Sequence, residues 1–212
     1  MKRFIGCLAL AGAVSLQAGC STINPYTGEK QTSKATSGAA IGAVAGALIG
    51  IATSDSAKER KERALAGAGI GALMAEEFAK QGAEVIVTAR RISAAREVTD
   101  RIKAAGGKAH PYVLDVSKIA SITKFRDRLH TKVGPITALI NNAGVVFGGE
   151  FETVELEQHL NTFRVNTEGL MATTHAFLED LIQADEAFLV NIASASAFIG
   201  LPYGSTYAAS KW

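Results

Sequence analysis

Residues 64–82 read ALAGAGIGALMAEEFAKQG, and two kinds of protein could own that run. Gly67, Gly69 and Gly71 could close a glycine-ridged helix begun upstream, since small residues let a second backbone approach closely. They could equally open a helix whose first N–H groups face a phosphate. The rest of the run is less ambiguous. MAEEFAKQ has amphipathic helical spacing, and Gly82 stands where a helix would stop.

Downstream of Gly82, strands and helices alternate. EVIVTA (84–89) is an apolar run of the kind that is buried on both faces, and ISAAREVTDRIKAAGG (92–107) is a helix with its own glycine stop. HPYVLDV predicts a strand, KIASITKFRDRLHTKVGP a helix, and ITALI a strand. A long helical stretch over roughly 154–183 leads to the strand AFLVNIA. This order predicts an α/β fold, a Rossmann-like, doubly wound parallel sheet covered on both faces.

Composition narrows the partners. Of 212 residues, 48% are apolar and 7% aromatic, with 21 glycines, which argues against a disordered chain. The formal charge is +2, and Lys2 and Arg3 account for the surplus. No basic stripe predicts nucleic-acid binding, and no histidine stands at metal-ligand spacing, so no metal is expected.

Upstream of residue 64 the chain reads differently. Residues 1–20, MKRFIGCLALAGAVSLQAGC, have a positive start, an apolar run and small residues before Cys20, as in a secretory signal. STINPYTGEKQTSK is a polar tether. SGAAIGAVAGALIGIATS then sets Gly38, Gly42, Gly46 and Gly50 four apart, which on a helix forms one ridge. The expected organisation is a signal peptide at 1–20, a tether and glycine-zipper helical segment at 21–66, and a dinucleotide-binding region at 67–212.

Two resemblances follow from these motifs. Residues 69–211 resemble a short-chain dehydrogenase/reductase: GIG at 69–71, NNAG at 141–144, Asn166, Ser194 and YAASK at 207–211 come in that family's order and separations. The resemblance implies NAD(P)-linked interconversion of an alcohol and a carbonyl compound, both small molecules. It makes Tyr207 the proton donor or acceptor and Lys211, four residues on, the group that favours its phenolate and binds the nicotinamide ribose. It also makes Ser194 the hydrogen-bond donor to the substrate oxygen and has Asn166 hold a water. The cofactor would contact Gly67, Gly69, Ile70, Gly71, Asp115, Val116, Asn142, Ala143 and Gly144; Asp115 could equally cap the helix after it. Arg90 and Arg91, where an acid would suit the ribose hydroxyls of NAD, favour NADP over NAD.

Residues 1–73 resemble small outer-membrane lipoproteins with a glycine zipper. That resemblance implies lipidation of Cys20 and membrane association through the anchor and the glycine-rich helix, on the periplasmic side of the outer membrane. The enzyme part alone would be cytoplasmic. A non-enzymatic envelope lipoprotein is therefore the rival reading.

The enzyme reading also expects gaps. The pattern T-G-x-x-x-G-x-G puts Ala64 at its threonine and Leu65 at its first glycine, and the charged SDSAKERKER before them is no buried strand. The first, central strand is therefore expected to be missing. The C-terminal strands beyond Trp212 are expected to be missing too, with a homo-oligomer only if that part were present. An incomplete sheet of this kind puts the activity of the chain in question.

Overall fold

The computed structural model describes residues 69–199 and 203–212 in full. Upstream of these it describes the backbone of four short strands and of the first turns of a long helix. The leader with Cys20 lies outside the described residues, as do Gly38 and Gly42 of the glycine ridge. Within the expected tether, β1 (Ser21–Ile23) and β2 (Lys30–Thr32) pair antiparallel, with Ser21 opposite Thr32. This hairpin falls in a unit of its own, Leu10–Ala39.

The glycine-rich segment is not helical where it is described. It forms β3 (Ala43–Gly46) and β4 (Ile49–Ala52). The helix α1 (Ala57–Lys80) follows, then β5 (Glu84–Ala89), α2 (Ile92–Ala104), β6 (Lys108–Val113), α3 (Ile119–Lys132) and β7 (Ala138–Asn141). Next come β8 (Gly144–Phe147), α4 (Leu156–Phe163), a π-helical turn (Arg164–Glu168) and α5 (Gly169–Gln183). The chain continues through β9 (Phe188–Asn191), a 3₁₀ turn (Ala195–Ala197) and α6 (Ser205–Lys211).

Five of these strands form one parallel sheet in the order β6-β5-β3-β7-β9. The expectation of a missing central strand is thus corrected. β3 lies between β5 and β7, with Val44 opposite both Ile86 and Leu139. The motif puts that strand directly before the glycine run at 67–71, where the charged SDSAKERKER stands, and the glycine spacing assigns residues 43–46 to a helical ridge. A central strand needs a free main-chain N–H and C=O on each edge, and AVAG provides them. The helical zipper expectation fails at the same residues: Gly46 closes β3 and Gly50 lies in β4, which pairs with β8.

The downstream elements fall close to their expected places. β5 is EVIVTA, and successive side chains reach opposite faces of the sheet. Val85 and Val87 pack with Ala72, Ala75, Val98 and Ile102 of α1 and α2. Ile86 joins Phe125, Leu129, Leu139, Phe177 and Leu181 on the α3 and α5 side. Two helical layers thus cover one sheet, which is why its strands read as continuous apolar runs. Pro111 is tolerated because β6 is an edge strand. Gly82 ends α1 at φ 90°, where Ala83 N–H reaches back to Phe78 C=O at 3.0 Å.

Candidate active site

In a parallel α/β sheet, ligands bind outside the carboxyl ends of the strands. The expected site residues divide there into those that the structure gathers and those that it does not.

The glycine run is not where the enzyme reading put it. α1 begins at Ala57, so Gly69 is twelve residues inside the helix, about 18 Å from its start at 1.5 Å per residue. Gly67, Gly69, Ile70 and Gly71 are therefore interior helical residues. Free N–H groups belong to the first turn, four at most. The physical reason lies in AKERKERALA, a run of alanine, lysine, glutamate, arginine and leucine with the highest helix propensities, which carries the helix upstream through the glycines.

The sequence holds a signal for an alternative that the motif reading passed over. Gly46 and Gly50 carry the three-residue gap of the first two glycines in T-G-x-x-x-G-x-G, with Ala45 and Ala52 at its two other fixed places. Ala45 and Gly46 close β3, whereas Gly50 and Ala52 fall in β4, which pairs with β8 before α1 opens at Ala57.

At the end of β5, Arg90 and Arg91 are both exposed. After β6, the Asp115 carboxylate accepts the Ser117 N–H at 3.1 Å and the Ser117 hydroxyl at 2.6 Å. Lys118 Nζ stands 3.4 Å away. Burial works to raise the Asp115 carboxyl, but the Ser117 and Lys118 donors outweigh it and hold the group below the ordinary carboxylate value. Asp115 thus stabilises the turn into α3. After β7, buried Asn142 and Ala143 line a small hollow with Thr88, Val116 and Val165. A Cβ on Gly169 would stand 2.7 Å from the Val116 carbonyl oxygen, so glycine there lets α5 start hard against the strand end.

The densest polar network surrounds Asn166. The π turn widens the helical register at this point, a distortion frequent at functional sites. Asn166 is 2% exposed. Its Oδ1 accepts the Val145 N–H at 2.8 Å, and its Nδ2 donates to the Val145 carbonyl at 2.9 Å and to Ser210 Oγ at 2.8 Å. All three bonds go to protein atoms, so the side chain clamps β8 to α6. Ser210 is buried and in turn donates to the Tyr207 carbonyl at 2.8 Å. Motif reading missed Ser210, although it is three residues past Tyr207 and so belongs to the same helical face. Nearby, Asn141 Nδ2 ties Thr174 Oγ1 (3.0 Å) to Asn191 Oδ1 (2.9 Å) across the ends of β7 and β9.

On α6, Lys211 Nζ donates to the Ile192 carbonyl at 2.9 Å, two residues before Ser194. A Cβ on Gly144 would lie 3.4 Å from that ammonium and 3.5 Å from Asn166 Oδ1, which places NNAG, Asn166 and Lys211 together. Burial pushes the Lys211 ammonium below its ordinary value. Tyr207 is half-buried, one turn earlier on the same helix. Ser194 Oγ accepts from the Ser196 N–H at 3.2 Å and from the Ser196 hydroxyl at 2.7 Å. Both lone-pair positions of Ser194 are thereby occupied, and its hydroxyl hydrogen is left to donate. Among the described residues no group of three or more histidine, cysteine, aspartate or glutamate side chains could hold a metal ion. No described helix is long and apolar enough to cross a membrane.

Comparison with known proteins bears on the family and the fold. The short chain dehydrogenase family model matches residues 65–212, and the YMGG-like Gly-zipper model matches residues 1–76. The chain is 33% identical over 143 residues to the ketoacyl reductase HetN of Nostoc sp., covering 68% of this chain and 50% of that protein. The chain thus spans about half the length of the curated relative it matches. Among solved structures, a metagenomic short-chain oxidoreductase in complex with NADP is 29% identical, with a TM-score of 0.70 over 84% of this chain and 72% of that one. A short chain dehydrogenase/reductase from Burkholderia phymatum in complex with NAD is 26% identical, with a TM-score of 0.67 over 81% and 55%. Residues 65–212 cover well over half of the chain, and with them it belongs to the short chain dehydrogenase family.

Proposed function

We propose that this chain carries the nucleotide-binding and proton-transfer parts of an oxidoreductase that interconverts an alcohol and a carbonyl compound with NADP(H). The observation that carries the reading is Lys211. Its buried ammonium is held by the Ile192 carbonyl beside Gly144 and Asn166, one helical turn from Tyr207.

Part of the residue set would fit a dinucleotide. Arg90 and Arg91 offer two exposed cations to a 2′-phosphate, and Asn142, Ala143 and Val116 line a hollow for a flat apolar group. They do not fit through Gly67–Gly71, whose N–H groups are inside a helix. The nicotinamide would supply the hydride. Tyr207 would exchange the proton at the substrate oxygen, Ser194 would donate a hydrogen bond to that oxygen, and Lys211 would hold positive charge beside the phenol. The family match supports this reading, as do relatives and neighbours described as reductases and oxidoreductases. The cofactors named for the neighbours, NADP or NADPH in two and NAD in a third, favour NADP only slightly.

The test is reduction of a panel of ketones by the purified chain with NADPH. Turnover that disappears in Tyr207→Phe while NADPH still quenches protein fluorescence supports the assignment. Turnover that survives that substitution overturns it.

The match of residues 1–76 to the YMGG-like Gly-zipper model supports a second reading, an envelope lipoprotein anchored through Cys20. Fatty-acid labelling that requires Cys20 would establish the anchor. Labelling together with turnover would make the chain a membrane-tethered enzyme.

A further inference from the structure

We propose that His159 is a positioning residue for the helix that bears Tyr207. His159 lies on α4, half-buried, and takes no part in the chemistry described above. Its Nε2 is 3.0 Å from the Phe151 carbonyl oxygen, and its Nδ1 is 2.7 Å from Thr206 Oγ1. A carbonyl can only accept, so Nε2 carries the hydrogen. In the neutral ring Nδ1 then accepts, and the Thr206 hydroxyl donates to it. The hydrogen bonds therefore select a single tautomer.

Thr206 is the second residue of α6 and the neighbour of Tyr207. The N-cap residue before that helix, Gly204, offers no side-chain cap. The two ends of α6 are held differently. Ser210 and Lys211 are fixed by Asn166 and the Ile192 carbonyl, whereas the first turn is held through Thr206 by His159. A seven-residue helix has little stability of its own, so the first turn depends on such ties.

The other side of the imidazole explains why the tie is directional. Phe151 stacks on the His159 ring with centroids 4.5 Å apart and planes at 27°. Phe151 belongs to the turn 149–154, in which the Glu150 carbonyl accepts the N–H groups of Thr153 and Val154. The same turn reaches the approach to α6 a second time, where Gly149 N–H donates to the Tyr203 carbonyl at 2.9 Å. His159 thus links an exposed aromatic loop to the turn that orients the phenol. The His159 ring and the Gly149–Tyr203 bond are the two ties through which that loop would act on the turn bearing Tyr207.

The kinetic part of this inference rests on the proposed reaction; the structural part does not. The test uses the full chain and three variants: His159→Phe, which keeps the stack but removes both hydrogen bonds, His159→Asn, whose amide oxygen can take the place of Nδ1, and Thr206→Val. Amide hydrogen exchange over 205–211 should speed roughly three- to tenfold in His159→Phe and in Thr206→Val, the effect of one neutral hydrogen bond. Exchange over 84–89 should stay unchanged, and His159→Asn should restore most of the protection. Nitrogen shifts of the wild-type ring should report the Nε2–H tautomer. In turnover, kcat should fall by the same three- to tenfold in His159→Phe with the KM for NADPH unchanged. Uniform loss of protection across the sheet, or no rescue by asparagine, would reduce His159 to a packing residue and overturn the proposal. If no variant, wild type included, turns over, the reaction is wrong and the exchange data alone decide the role of His159.

Discussion

The two halves of the fold are built on different principles. On the β7 to α6 side, buried side chains hold one another: Asn166 grips Val145 and Ser210, and Lys211 grips the Ile192 carbonyl. On the β3 to α1 side, order comes from the main chain, with β3 laddered between β5 and β7 and α1 running unbroken from Ala57 to Lys80. The first side depends on residue identity at a few positions and the second on backbone geometry over many. Substitutions should therefore act through different mechanisms on the two sides.

The largest effect is expected at β3. Ala45→Pro removes a ladder hydrogen bond and imposes a proline on a central strand, at a cost of about 3 kcal/mol or more. A domain whose whole margin is about 5–15 kcal/mol should show a much lower denaturant midpoint. An unchanged midpoint would mean that the glycine-rich segment is not part of the sheet.

Asn166→Ala comes next. It leaves the Val145 N–H and carbonyl without their side-chain partner in a buried place and takes from the Ser210 hydroxyl the bond it accepts, which should destabilise the chain by about 2–4 kcal/mol in urea unfolding. A loss under about 1 kcal/mol would remove the clamp from the account.

Lys211 offers a pH signature. Its folded-state value lies below the ordinary 10.5, so the unfolded chain binds more protons in the window between the two values. Stability should therefore rise with pH as the window is crossed toward 10.5. Unfolding of wild type and Lys211→Met, measured side by side across that range, should show the upward slope in the wild type alone. Parallel curves would place the ammonium in solvent.

The smallest effect has the opposite sign. An added Cβ on Gly69 meets nothing within 4 Å, so Gly69→Ala inside α1 should stabilise the chain by roughly 0.5–1 kcal/mol. Were Gly69 instead part of a turn around a phosphate, the same substitution would destabilise the chain or abolish NADPH binding.

Much of the fold was legible because burial on both faces leaves a continuous apolar run. EVIVTA could be read as a strand, and its three valine and isoleucine side chains are fully buried. β3 was not legible for the converse reason: AVAG has small side chains, and the regular glycine spacing of its neighbourhood suits a helix ridge as well as a strand and turn. The π turn was invisible because one extra residue in a helix leaves the apolar pattern nearly intact. At the site, motif spacing singled out Tyr207, Lys211 and Asn166 as candidates, but not the groups that Lys211 and Asn166 bond. Ser210, the Val145 main chain and the Ile192 carbonyl come from distant segments, and no local pattern announces such contacts. The GIG motif misled because its composition also suits the interior of a helix that begins earlier.

Native-state hydrogen exchange of the intact chain over residues 40–72 tests the central claim most directly. The amides of 43–46 should be protected as strongly as those of 84–89, and 61–71 should exchange as one continuous helix. Free exchange at 43–46 beside a protected 84–89 would show a sheet with no strand at its centre, and the architecture described for this chain would be wrong.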